Sequence, residues 1–324
     1  MEQNSIRYMG IKKIYTNYLY KYGIYFIFLL MIIFFSLKSK NFLSLSNLDI
    51  IMQQSAPLGI AAVGMSFILI TAGIDISVGS NMYASAIIAA VALTSGVNLW
   101  VAILIAIASG TIIGIINGIL VARFNIVPFI TTLATMSIAR GIGLTISKSK
   151  LYVLNDTTKF ITSTRIFNIP VVVVILFVIV LIGDYVLRRT PFGRQLFAIG
   201  NDASAAERIG INVKTNKMMV YILCGALAGF AGLVSAGQVG NVTSNFANGN
   251  EFVVISATVL GGTSLFGGKG NIFPGAIVGI ILVVTIVNGL TMINASPYAY
   301  TIVRGVIIFL AVAVDSINYK GEIR

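Results

Sequence analysis

NLWVAILIAIASGTIIGIINGILV, residues 98–121, runs for 24 residues without a charged side chain. Wound as a helix it is about 36 Å long, enough to cross the ~30 Å hydrocarbon core of a bilayer. In lipid such side chains are already solvated, and a helix satisfies its own backbone hydrogen bonds. The rest of the chain agrees. Of 324 residues, 57% are hydrophobic and 10% charged, and the mean hydropathy is +0.95. Soluble domains carry about 25% charged residues, so a water-soluble fold is disfavoured. Comparable runs lie at 22–37, 48–71, 78–95, 127–147, 169–187, 217–239, 252–264, 272–292 and 299–316. The expected fold class is all-α: a polytopic membrane protein of about ten transmembrane helices, forming a single domain over 22–316. Residues 1–21 are a basic head and 317–324 a short tail. The runs at 78–95 and 252–264 are the weakest, and the second is short enough to be a broken or re-entrant helix.

The head MEQNSIRYMGIKKIYTNYLYK precedes YGIYFIFLLMIIFFSL and then KSKNFLSLS. No A-x-A cleavage site follows, so the run reads as a retained first membrane helix rather than a signal peptide. With the N-terminus in the cytoplasm and strict alternation, fourteen Lys and Arg fall inside: Arg7, Lys12, Lys13, Lys21, Arg123, Arg188, Arg189, Arg194, Arg208, Lys214, Lys217, Lys269, Lys320 and Arg324. Six fall outside: Lys38, Lys40, Lys148, Lys150, Lys159 and Arg165. Basic residues favour the cytoplasmic side, so both termini are expected there, although the outer loop 148–168 is more basic than that rule favours. The net charge of +12 then reads as an orientation signal, and no nucleic-acid partner is expected.

The chain has no histidine and one cysteine, Cys224, inside an apolar run. That removes the usual proton shuttle, the commonest metal ligand and any internal disulfide. No nucleophile–base pair or metal cluster is visible, so no catalytic, cofactor-binding or metal residue is assigned. Carboxylates within spans are scarce, Asp184 near a span end being the nearest case. That argues against a proton-coupled secondary transporter.

Small residues recur at helical spacing in GTIIGIING (110–118) and in GALAGFAGLVSAG (225–237), where Gly225, Gly229 and Gly232 fall close together. Such faces let helices approach in lipid, where apolar burial cannot drive association. GTIIGII (110–116) is echoed by GAIVGII (275–281), and VPFITTLATMSIARG (127–141) by SPYAYTIVRG (296–305). Among ten spans the members of each pair run in opposite directions. That is the pattern of an inverted repeat, which in transporters puts the substrate path at the repeat interface.

Four features carry mechanism. GGTSLFGGKGN (261–271) has the ingredients of a phosphate loop, but Thr263 stands where a Walker motif needs its first Gly, and Gly270 where it needs a hydroxyl. It reads instead as a tight turn, in which Gly261, Gly262, Gly267 and Gly268 permit positive φ and close packing. TAGIDISVGS (71–80) holds Gly73, Asp75, Ser77 and Gly79 between two apolar runs. Asp75 or Ser77 is placed to cap the following helix, and a direct transport role for the carboxylate is the alternative. RRTPFGRQLFAIGNDASAAERIGINVKTNK (188–217) is the longest hydrophilic interval between spans. Within it Ser204 and Glu207 form an S-x-x-E capping box, Ala205 and Ala206 favour helix, and Gly210 can end it. A helix that short must lean on its own protein or on a cytoplasmic partner. Arg140 and Arg304 fall within spans, where they either meet helix-end carbonyls or line a polar path.

Taken together, GIDISVGS (73–80), NGILVARFNIVPFITTLATMSIARG (117–141), TPFGRQLFAIGNDASAAERIGI (190–211) and VLGGTSLFGGKGN (259–271) give the chain a clear resemblance. It resembles the permease subunits of bacterial ribose/galactoside-type ABC sugar importers, a branched family that includes xylose, arabinose and autoinducer-2 permeases. The resemblance runs from about Asn41 to Ser316. It implies a bacterial plasma-membrane subunit that moves a ribose-like monosaccharide inward. It also implies a second permease copy or paralogue, a cytoplasmic ATPase that uses the ATP and Mg²⁺, and an extracytoplasmic solute-binding protein. No cofactor is then expected on this chain. Asn201, Asp202, Ser204, Ala205, Ala206, Glu207, Arg208 and Gly210 then look like the coupling helix that docks on the ATPase. Thr71, Asn117, Thr131, Thr132, Thr135 and Asn288, with Arg140 and Arg304, are the polar span residues available to the solute. A nucleoside or autoinducer-2 importer is the alternative within the class, and an ATP-independent secondary transporter the alternative outside it.

Overall fold

The computed structural model describes residues 26, 28–154, 158 and 164–322. The basic head 1–21, the beginning of the first run, Lys159 and Arg324 lie outside the described residues.

In chain order the helices are α1 (Phe28–Lys38), α2 (Leu45–Ile70), α3 (Val78–Thr94), α4 (Leu99–Ala122), α5 (Pro128–Ser147) and α6 (Val171–Arg189). They continue with α7 (Pro191–Asn201), α8 (Ala203–Arg208), α9 (Val213–Val239), α10 (Asn250–Leu260), α11 (Ile277–Met292) and α12 (Pro297–Glu322). One π-type turn, Ile272–Ala276, leads into α11. Among the described residues, seven helical segments are long and apolar enough to cross a membrane: α2, α4, α5, α6, α9, Ile272–Met292 and Tyr298–Ser316 of α12. Three shorter apolar helices, α1, α3 and α10, complete the set. Each of the ten apolar runs therefore forms a helix, and the two weakest are the short α3 and α10.

Polar caps set several helix starts. Ser44 accepts from Asn47 N–H, Asn98 from Val101 N–H and Asn212 from Thr215 N–H. α9 ends where Gly240 takes φ +76. α2 forms the centre and is buried over most of its length, while few residues of Tyr298–Ser316 are buried.

Loops segregate to two ends. At one end the carbonyl of Ile70 accepts from Gly268 N–H, and Gly200 packs on both. Asp315 of α12 accepts from Leu265 N–H there at 2.8 Å. At the other end β1 (Tyr152–Val153) pairs antiparallel with β4 (Asn241–Val242). The hairpin of β2 (Arg165–Ile166) and β3 (Ile169–Pro170) joins Asp49 near the start of α2. This alternation is what consecutive membrane crossings produce.

The packing also has the two-fold pattern of the sequence echo. α3 packs on α4, α5 and α9; α10 packs on α11, α12 and α2. α4 packs on α9, as α11 packs on α2. Exchanging α2–α5 with α9–α12 leaves these pairings unchanged. α4 and α9 approach closely where Gly110 and Gly114 face Gly225 and Gly229 with no space for a Cβ on either side. The starts of the two short helices meet: Gly79 in α3 lies against the carbonyl of Ala247 and the carboxylate of Glu251.

Candidate functional site

Three constellations stand out from this apolar framework. The first is the turn between α2 and α3. Asp75 is 1% exposed. Its Oδ1 accepts from Ser77 N–H at 2.8 Å and from Ser77 Oγ–H at 2.6 Å. Asn117 of α4 donates from Nδ2 to Ser77 Oγ at 2.9 Å. Tyr221 of α9 donates to Ile74 O, and Thr132 of α5 receives Ile76 N–H. A segment without regular structure is thus pinned by three helices, as buried backbone requires. The capping expectation is corrected here. Ser77 stands at the N-cap position with a helical rather than extended backbone, and its side chain makes no cap bond; its Oγ accepts from Asn117 instead, and Asp75 meets the N–H of Ser77 itself rather than one inside α3. Gly79 belongs to the first turn of α3 rather than to the turn before it, and both Gly73 and Gly79 are close-approach positions.

The second constellation is the layer that carries residues 188–217. It holds two helices where the sequence suggested one. α7 starts at Thr190, whose hydroxyl accepts from Gly193 N–H, followed by Pro191 at the first position. Its buried side is Gly193, Leu196 and Ile199. α8 is capped by Asp202, whose Oδ1 accepts from Ser204 N–H at 2.9 Å and Ala205 N–H at 3.0 Å. The Ser204–Glu207 capping box is therefore not formed; the carboxylate two residues upstream outcompetes the hydroxyl, leaving Ser204 and Glu207 exposed. The end matches expectation: Gly210 takes φ +89, Ile211 N–H bonds Ala206 O and Gly210 N–H bonds Glu207 O, a Schellman closure. Ala206 is buried under α8, whereas Ile209, just past its end, is 76% exposed.

This layer is wired into the bundle. Gly262, Gly267 and Gly268 take positive φ as the turn reading expects, while Gly261 has φ −69 and closes on Gly275. The turn holding them packs against Gly200, Asn201 and the end of α2. Asn216 of α9 donates to Gln195 of α7 at 3.1 Å. Arg188 of α6 donates to Asp184, to Asn271 Oδ1 and to Phe273 O.

The third constellation is a groove of about 550 Å³ between α2, α9, α10, α11 and α12. Gln53, Gln54, Ser235, Gln238, Asn250 and Arg304 give it polar walls, and Ile50, Leu58, Val284 and Val287 are among its aliphatic flank. α2 belongs to the first of the two matching helix groups and the rest to the second, so the groove lies between the groups. Gln238 Nε2 donates to Gln53 O at 2.8 Å, which locks α9 to α2 along its wall. No Asp or Glu is among the described residues that line it.

Of the polar span residues singled out in the sequence, only Arg304 lines this groove. Asn117 holds Ser77. Thr71 and Thr135 bond carbonyls within their own turns. Thr131 is 3% exposed, and its Oγ1 has no hydrogen-bond partner among the described residues. Asn288 and Asn47 exchange amide hydrogen bonds at 3.0 Å, joining α11 to α2. Arg140 donates to Phe246 O at 2.8 Å and stacks over the Tyr83 ring at 4.6 Å. The groove glutamines were not singled out. Their signal was an amide pair, Gln53–Gln54, early in an apolar run.

The chain matches the family described as "Branched-chain amino acid transport system / permease component" over residues 47–312. It is 35% identical to the galactose/methyl galactoside import permease protein of Salmonella typhimurium, over 96% of this chain and 98% of that one. It is 36% identical to the ribose import permease protein of Escherichia coli, over 89% and 91%. It is 36% identical to the D-allose transport system permease protein of Escherichia coli, over 93% of each. No solved structure matches the chain.

Proposed function

Because the chain belongs to the family of branched-chain amino acid transport system permease components, we propose that it is the membrane permease of an ABC importer whose solute is a monosaccharide. The carrying observation is the groove, whose polar lining contains no carboxylate among the described residues. An amino acid would bring an ammonium group that needs an anionic or strongly accepting partner on leaving water. A sugar offers hydroxyls, which amides, a serine and one guanidinium can bind. The relatives named for galactose, ribose and allose support the same solute class.

A groove with this lining cannot face hydrocarbon cheaply. In this reading a second permease copy or paralogue covers it, and the two grooves form the solute path. Both termini, the head 1–21, the tail 317–324 and α8 lie in the cytoplasm, and a solute-binding protein delivers the sugar from the opposite side. A partner ATPase hydrolyses the ATP, and α8 seats on it with Ser204, Glu207, Arg208 and Ile209 outward. Movement of α8 passes through α7 to Gly200, from there to Ile70, and along the buried α2 to the groove wall at Gln53 and Gln54.

The test is competition. In cells that carry the permease with its cognate partners, uptake of labelled ribose, galactose or allose should be suppressed by excess unlabelled sugar and unaffected by leucine. Uptake of leucine with none of the three sugars would overturn the sugar reading.

A further inference from the structure

The hairpin β2–β3 stands at the end of the molecule where the groove glutamines lie, and it is tied to them by a continuous polar chain. Its turn, Phe167–Asn168, takes positive φ at both residues, +49 and +64. Arg165 donates from Nη1 to Asn168 O at 3.0 Å and to Asp49 Oδ1 at 3.2 Å, and from Nη2 to Asp49 Oδ2 at 2.6 Å. The guanidinium is thereby fixed both to its own turn and, through two bonds, to the carboxylate. Asp49 Oδ2 accepts a second donor, Gln53 Nε2, at 2.8 Å. Asp49 lies one turn before Gln53 on α2, so the two side chains share a face.

The chemistry of this chain fixes an orientation. A carboxylate only accepts, so Gln53 must turn its NH₂ toward Asp49. Its carbonyl oxygen Oε1 and one N–H are then left over on a residue that lines the groove, and Oε1, turned away from Asp49, is an acceptor suited to a hydroxyl donor. With Asp49 neutralised or turned away, the amide is free to flip and offer NH₂ instead. We propose that Arg165 and Asp49 are positioning residues for the solute path: together they set the Gln53 amide so that an acceptor, rather than a donor, faces the solute. The proposal rests on the groove being that path.

A plain tether between hairpin and α2 predicts different results from a device that orients an amide. The variants are Arg165→Ala, Asp49→Asn, the charge exchange Asp49→Arg with Arg165→Asp, and Gln53→Leu. They are measured in the assembled importer, reconstituted with its ATPase and solute-binding protein, as labelled ribose, galactose or allose taken up per ATP hydrolysed. Arg165→Ala and Asp49→Asn should each lower that ratio about three- to tenfold, the range for one mispositioned hydrogen bond. ATPase stimulation by the loaded binding protein should stay at the wild-type level. The charge exchange rebuilds the tether, but an arginine at position 49 can only donate, so Gln53 turns its oxygen inward and its NH₂ to the groove. Thermal stability should therefore recover while the uptake ratio stays low. Recovery of uptake in the exchange, or ATPase stimulation falling in step with uptake in both single variants, would reduce the pair to a tether and overturn the proposal. Normal uptake by Gln53→Leu would show instead that the groove is not the path, and the proposal would fall with that reading.

Discussion

At the scale of single residues, the most informative position is Asp75. Its carboxylate takes both donors of Ser77 in a site closed to water. Asp75→Leu would leave a buried N–H and a buried hydroxyl without an acceptor, at about 1–3 kcal/mol each. The melting temperature in detergent should fall sharply, and Asp75→Asn, whose amide oxygen still accepts, should lie between that variant and wild type. Equal melting of all three proteins would contradict this account of the turn. GIDISVGS made Asp75 visible in the sequence, because a carboxylate between two apolar runs is costly unless something holds it. What holds its partner Ser77 in turn was not legible: Asn117 lies 42 positions from Asp75 on another helix, and hydropathy carries no distances. Hydropathy also ranks all buried amides alike, so it could not separate Asn117 and Asn288, which join helices, from Gln53 and Gln238, which line a groove.

At the scale of elements, the ten apolar runs were legible because span length is set by bilayer thickness alone. The helix α7 was not. Its eleven residues are only partly apolar, and they become a buried face only because the ends of α2 and α9 lie beneath them. α8 was legible at its C-terminus, where Gly210 has the expected left-handed backbone, but misread at its start. The cap makes a prediction of its own. A six-residue helix has little stability in isolation, and loss of a carboxylate cap costs about 0.5–2 kcal/mol. Asp202→Ala should fray α8 without disturbing the spans. Hydrogen exchange should speed up locally over 203–208, and solute-stimulated ATPase of the assembled importer should fall several-fold. Unchanged exchange at Ser204 and Ala205 would show that Asp202 does not hold the helix.

At the scale of the whole molecule, two groups of helices with matching pairings enclose a polar groove, and the short α8 sits at the far end of the long α2 that forms one of its walls. The faint echoes around Gly110 and Gly275, and around Arg140 and Arg304, fall on helices that these matching pairings relate, α4 with α11 and α5 with α12. In the first echo the small residues stand where backbones touch, Gly110 on Gly225 and Gly275 on Gly261; in the second, Gly141 and Gly305 have open space beside them. The groove itself was invisible in the sequence, since its walls come from five helices that only the fold brings together. The central claim is that work done outside the membrane reaches this groove through α8. The most direct measurement is uptake of labelled ribose, galactose and allose into vesicles holding the complete importer, with and without ATP on the α8 side, for wild type and for Ile209→Glu. The account predicts that at least one sugar accumulates only with ATP, and that Ile209→Glu abolishes accumulation in a permease of unchanged melting temperature. Accumulation without ATP, or wild-type uptake by the Ile209→Glu protein, would contradict it.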